Sequence, residues 1–169
     1  MKTLLFILLL LTSSLMLHAQ APAFSWAKQV GGSGYETGTS MVQDASGNIY
    51  TTGVFRNTVD FDPGPGSFFL TAAEDNIFIL KLDINGNFIW AKHCSNISAG
   101  ASYGAGIALD AQNNIYVTGT FSGTVDFDPG PASLTISANT VEIFVLKLDV
   151  NGNFTWLRQL GEQQPGSGS

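Results

Sequence analysis

The sequence holds one cysteine, Cys94, so no disulfide can form within the chain. Of its two histidines, His18 lies in an apolar leader, which leaves His93 alone for imidazole chemistry and excludes a histidine-rich metal centre within one chain. Seven Lys and Arg stand against 13 Asp and Glu, and the basic residues are scattered. A nucleic-acid surface needs clustered basic residues, so that class of partner is excluded. Strong helix formers are sparse, and Gly, Asn, Thr and Phe take their place. Beyond the leader no apolar run reaches the length that spans a bilayer.

The leader has the composition of an export signal. Met1-Lys2 is a short positive start, Leu4 to Leu17 is apolar apart from Thr12, Ser13 and Ser14, and His18-Ala19-Gln20-Ala21 offers small residues for cleavage. The apolar run is short for a membrane span, so residues 1–19 are expected to be a signal peptide cleaved after Ala19. The protein is therefore expected to be secreted or at the cell surface. About 150 residues remain, enough for one domain. The final stretch, residues 162–169, is rich in Gln, Gly and Ser and is expected to be a flexible tail.

What the sequence has in abundance is itself. Phe24-Ser-Trp-Ala-Lys-Gln-Val30 recurs as Phe88-Ile-Trp-Ala-Lys-His-Cys94 and as Phe154-Thr-Trp-Leu-Arg-Gln-Leu160. Between these copies one unit is written twice, residues 38–90 returning as 104–156. Internal periodicity of this length decides architecture before any single residue does. The repeats divide at about residues 24–90 and 91–160.

Each unit reads as four strands. The first is short and built of small residues, Gly38–Val42 and Gly106–Leu109. The turns Asp44–Asn48 and Asp110–Asn114 follow, with Gly47 and Asn113 in one slot that predicts a left-handed residue. The second strand, Ile49–Phe55 and Ile115–Phe121, is β-branched and aromatic. Thr58–Pro65, repeated as Thr124–Pro131, reads as the start of a protruding hairpin inserted before the third strand. The third strand, Ile77–Leu82 and Ile143–Leu148, is nearly all apolar, as in a strand covered on both faces. Asn-Gly turns at 85–86 and 151–152 then lead to the Trp-containing strand. The expected fold is all-β: two tandem, antiparallel, four-stranded units packed like propeller blades, with the small strand innermost.

The pattern Asp44-x-x-Gly-Asn-Ile-Tyr-x-Thr-Gly53, Ile77-Phe-x-x-Lys-Leu-Asp83 and Asn85-Gly-Asn-x-x-Trp90 resembles the bacterial β-propeller repeat called SBBP. The second unit carries it too, with Asn113 for the first glycine, so the resemblance spans residues 24–160. It implies a secreted or surface propeller, often within a larger protein, and no catalytic residues. Two units and a leading strand, residues 24–30, form an incomplete propeller. Parts of Ile77–Leu82 and Ile143–Leu148 are then left uncovered on outward faces, so self-association or additional blades are expected.

The candidate site residues are the carboxylate pairs Asp60/Asp62 and Asp126/Asp128. Residues two apart on extended backbone share a face, so each pair is presented together with Phe61 or Phe127 turned away. Three roles stay open: turn formation before Pro-Gly, part of a calcium shell completed by other oxygens, or general acid/base work. Calcium is the one cofactor the sequence suggests. Asp83-x-Asn-Gly-Asn87 lacks the spacing of a calcium loop and reads as a hairpin turn. Gly31-Gly-Ser-Gly34 is followed by no Lys-Ser/Thr and no helix, so it is not a phosphate loop. Cys94 takes a slot held elsewhere by Val30 and Leu160, and His93 one held by Gln29 and Gln159, so a buried thiol and a polar spacer are expected. Trp26, Trp90 and Trp156 recur with the repeat and are expected to pack between blades rather than form a sugar platform. Asn96-Ile-Ser98 and Asn153-Phe-Thr155 match the short glycosylation sequon. The function expected is adhesion, scaffolding or ligand binding without catalysis, toward a protein or surface glycan. The alternative is a scaffold within a secreted hydrolase or carbohydrate-active enzyme, which would need a convergent polar site.

Overall fold

The computed structural model describes residues 24–161. The expected signal peptide and the tail from residue 162 lie outside the described residues. Nine strands follow in order: β1 (Gly31–Gly32), β2 (Tyr35–Gln43), β3 (Ile49–Asp60), β4 (Phe69–Leu82), β5 (Phe88–Asn96), β6 (Ser102–Leu109), β7 (Ile115–Asp126), β8 (Thr135–Leu148) and β9 (Phe154–Leu160). No helix occurs among the described residues.

Strands β2 to β5 form one antiparallel meander and β6 to β9 a second. The register repeats: Gly53 faces Phe78 in the first unit as Gly119 faces Phe144 in the second. The end of β5 crosses over and pairs with β7, Ser95 opposite Asp126 and Asn96 opposite Val125. At the front of the chain β1 pairs with β3 in the matching way, Gly31 opposite Asp60 and Gly32 opposite Val59.

The turns explain why the chain reverses where it does. Asp44 Oδ1 accepts from Ser46 N and Asn48 N at 2.9 Å each, and Oδ2 accepts from Asn48 Nδ2 at 2.8 Å. The same three bonds recur at Asp83, Asp110 and Asp149. Each aspartate thus satisfies two backbone donors that the hairpin leaves free. Gly47 and Asn113 are both left-handed, with φ of 86° and 60°, as their shared slot predicted.

The expected inserted hairpin is not a separate element. Strands β3 and β4 run on through it, 12 and 14 residues long, and bend at a bulge where Asn57 has a φ of 63°. Val59 and Phe61 do not protrude and are fully buried, whereas Phe68 and Phe69 on the returning arm are exposed. The bulge folds the long hairpin back over its own sheet, where Phe61 meets Phe55 and Phe78 at ring separations of 5.3 and 5.0 Å. Phe127 does the same in the second unit against Phe121 and Phe144.

The larger core cluster lies between the units. Tyr50, Ile77, Ile79 and Cys94 of the first unit meet Ile115, Val117, Phe127, Phe144, Leu146 and Leu148 of the second. Each is fully buried, and burial of a large apolar side chain contributes about 1.5–3 kcal/mol. The small first strands allow the close approach that this needs. A Cβ on Gly104 would come within 2.3 Å of Thr52 Oγ1, so that position of β6 fits against the first unit only as glycine. Thr39 Oγ1 donates to Gly104 O at 2.5 Å, and Ile107 N donates to Ser40 Oγ at 3.4 Å.

Candidate functional site

The carboxylate pairs lie where the long hairpins turn. Asp60 Oδ1 accepts from Asp62 N at 3.0 Å and Phe68 N at 2.8 Å, and Asp62 Oδ1 accepts from Gly64 N at 2.7 Å. These bonds, that from Phe68 N foremost, hold the Asp60 carboxyl below its ordinary range. The second unit repeats the set: Asp126 Oδ1 accepts from Asp128 N and Leu134 N, and Asp128 Oδ1 from Gly130 N. The intervening Phe61 and Phe127 are fully buried while the carboxylates flanking them are not, which accords with the expected turning away, though not with a protruding hairpin. The structure gives each pair a turn-closing role. Among the described residues no group of three or more His, Cys, Asp or Glu side chains converges as a metal site would.

A second polar cluster, at the rim of the junction, does not repeat. Arg56 Nε lies 2.9 Å from Asp75 Oδ1, and Arg56 also reaches Glu74 at 3.5 Å. The Nε hydrogen does not point at the oxygen, so this contact is an ion pair without a directed hydrogen bond. Asp75 Oδ2 accepts from the Tyr103 hydroxyl at 2.8 Å, and that bond pushes the phenol upward. The Asp75 carbonyl accepts from Asn96 Nδ2 and from Ser102 Oγ, and Asn76 Oδ1 accepts from Asn96 N at 3.0 Å. Residues of β4, β5 and β6 are thus tied across the two units. The Asn96 amide nitrogen is engaged here, and that of Asn153 in its own turn, so both sequon side chains have structural roles.

Sequence reasoning missed this cluster. The signal was available in the positions where the units differ, since Arg56, Asp75 and Asn76 stand opposite Ser122, Val141 and Glu142. Charges that a repeat does not keep mark a contact made only once.

The remaining candidates fall into structural places. His93 packs on Phe55 at a ring separation of 5.6 Å, with Asn76 Nδ2 3.4 Å from its Nδ1, and burial lowers its basicity. Its counterpart Gln159 instead donates to Glu142, the counterpart of Asn76, so the pair varies together between units. Cys94 is fully buried, and burial, reinforced by Asp126 and Asp128, pushes its thiol well above the reactive range. Trp90 and Trp156 meet Tyr50 and Tyr116 edge-on at 6.4 and 6.0 Å, which places them in packing roles.

The leading segment, residues 24–30, has no ladder partner and is not a strand. It nonetheless lies where the Trp-containing strand of a preceding unit would lie. The Trp26 indole donates to Ile84 O at 3.1 Å, and its ring sits over Gly86, where a Cβ would come within 3.1 Å. Trp90 sits over Gly152 at the same distance. Val30 packs on the cluster containing Phe61, as Cys94 packs on the cluster containing Phe127.

The comparisons with known proteins agree with this repeat geometry. An uncharacterized WD repeat-containing protein of Acanthamoeba polyphaga mimivirus is 27% identical over 160 aligned residues, covering 79% of this chain. The chain spans only 11% of that relative's length. The SBBP β-propeller repeat matches residues 25–54, the segment from Trp26's neighbourhood through β1 and β2 into β3. Residues 25–54 are thus similar to a β-propeller repeat of the SBBP type.

Proposed function

We propose that the protein is an exported, non-enzymatic scaffold or binding module built of two propeller blades, which act by presenting surface to a protein or glycan partner. The observation that carries this reading is the use made of its polar side chains. Asp44, Asp83, Asp110 and Asp149 hold turns, Asp60, Asp62, Asp126 and Asp128 close the long hairpins, and Arg56, Glu74 and Asp75 tie the blades together. His93 packs against an aromatic ring, and Asn76 is its polar neighbour. A general base must reach the proton it removes, and these groups are turned toward the fold instead. Export rests on the leader, Met1 to Ala19.

The test has two arms. Expressed in a bacterium with its leader, the protein should appear outside the cytoplasm with Gln20 as its first residue. A panel of glycosides and peptides should not be turned over, while immobilised surface glycans or matrix proteins retain the folded protein. Turnover that disappears in His93→Ala would replace this reading with the hydrolase alternative. Retention in the cytoplasm with an intact leader would remove the export claim.

A further inference from the structure

We propose that the protein associates head to tail with a second copy of itself, the back of blade two docking on the front of blade one. This rests on the repeat alone and holds whether or not the module binds a glycan or another protein.

The junction inside the chain is the template. There the back of blade one, with Tyr50, Ile77, Ile79 and Cys94, fills the front of blade two. Both faces occur once more at the outer ends. The back of blade two carries Tyr116, Ile143, Val145 and Leu160 at the matching positions. Ile143 is 48% exposed and Leu160 53%, where Ile77 and Cys94 are fully buried. The front of blade one is a groove of about 450 Å³ lined by Met41, Ile49, Phe61, Phe78, Leu80 and Leu82. Met41 takes the place of Ile107, which packs into the internal junction, yet Met41 is 64% exposed. Among the described residues, Ile143 and Leu160 at one end and Met41 at the other are exposed, while Phe61, Phe78, Leu80 and Leu82 on the floor of the groove are already buried beside Val30 of the leading segment, and each face is the partner that the other has inside the chain. A blade of this same protein is the occupant that the template specifies.

Two differences set the character of the contact. Arg56 and Asp75 are replaced by Ser122 and Val141 on the outer back face, so the polar tie is missing and the association is weaker than the internal junction. In addition, β9 of the incoming copy would fall where residues 24–30 now lie, because Trp156 and Leu160 match Trp26 and Val30 in the repeat. The incoming β9 displaces that segment. The interface is heterologous, so successive copies close into rings or extend as chains.

Sedimentation velocity over a concentration series tests this. The wild type should form reversible, concentration-dependent assemblies. Ile143→Glu and Met41→Glu, both at exposed positions, should each remain monomeric with an unchanged far-UV circular dichroism spectrum. Mixed together, these two variants retain one intact face of each kind and should form a dimer that grows no further. Trp26→Ala loosens the segment that must leave and should shift wild-type behaviour toward assembly. A wild type that stays monomeric throughout overturns the proposal, as does an Ile143→Glu variant that assembles normally. Failure of the mixed variants to pair would mean that like faces meet, and assembly weakened by Trp26→Ala would overturn the displacement step. Loss of glycan or protein retention leaves all of these readouts unmoved, so failure of the binding role is distinguishable.

Discussion

The Tyr103 hydroxyl donates to Asp75 Oδ2 at 2.8 Å, and this bond joins β6, the first strand of the second meander, to β4 of the first. Asp75 receives it while paired with Arg56, so one carboxylate serves a neighbour in its own unit and a neighbour in the next. The bond adds a directional contact to the hydrophobic junction, beside the Thr39–Gly104 and Ile107–Ser40 bonds.

Removal of these partners should therefore be costly in order of burial. Tyr103→Phe removes a partly exposed bond and should cost about 1 kcal/mol in urea unfolding. Asp75→Val, which copies Val141, leaves Arg56 beside an apolar residue and should cost about 2 kcal/mol. Arg56→Ser combined with Asp75→Val copies blade two at both positions and should cost less than the two single changes together. Additive costs would show that the residues do not act as a unit.

The turn aspartates predict a defined acid response. In Asp110 the Asn114 side-chain amide is the main influence; burial opposes it, and the backbone donors of Asn114 and Gln112 assist, so the carboxyl falls to about 2 from an ordinary 3.8. A carboxyl lowered on folding stabilises the protein above the unfolded value, and that contribution is lost as pH falls through the folded one. Asp110→Asn should thus be less stable than wild type at about pH 6, with the difference closing between about pH 4 and pH 2. Urea midpoints of both proteins across that range provide the check. A difference that does not change with pH would sink the ionic part of the argument.

How much of this was legible follows from what repetition can and cannot convey. The strand order and the left-handed slot at Gly47 and Asn113 were readable, because local chemistry dictates them in each copy, whereas the burial of Phe61 was not. The continuity of β3 and β4 through the hairpin was not. Pro63, Gly64 and Pro65 did mark the reversal between β3 and β4, but nothing in the sequence showed that both strands run into it from the core without interruption, bending at Asn57 and pairing on to Asp60. The Arg56–Asp75–Tyr103 cluster also escaped notice, since its members are far apart in sequence and appear in one copy only. The position of residues 24–30 was half legible. Their likeness to β5 indicated the place, but strand structure requires an edge to pair with, and the described residues supply none at that point.

His93 gives a second pH signature, with the same sign near neutrality. Burial lowers its pKa from an ordinary 6.5, so it is neutral at pH 7 and must be charged against burial at lower pH. The unfolded chain takes up that proton first, so stability falls as pH drops below about 6.5. His93→Gln installs the residue found at the two equivalent positions and should remove this dependence with little loss at neutral pH. Imidazole titration by NMR provides an independent reading. A folded-state pKa at or above the unfolded value would contradict the burial argument.

The carboxylate pairs allow the sharpest test of a site role against a turn role. Asp60 Oδ1 already accepts two backbone donors and Asp62 Oδ1 one, and the second blade repeats the arrangement. Calcium takes about 6–8 oxygens, so a bound ion would need several more from carbonyls, water or a neighbouring loop. The turn role makes a different demand: one acceptor oxygen at each position, with or without charge. Asn keeps that acceptor and Ala does not. The expected outcome is a melting temperature that is the same with calcium and with chelator. The fourfold Asn variant at Asp60, Asp62, Asp126 and Asp128 should melt slightly below wild type, and the fourfold Ala variant well below both. If a bound ion held the pairs, mass action would raise the wild-type melting temperature in calcium. A rise seen in wild type and absent from the Asn variant would assign calcium to the pairs and make turn closure secondary.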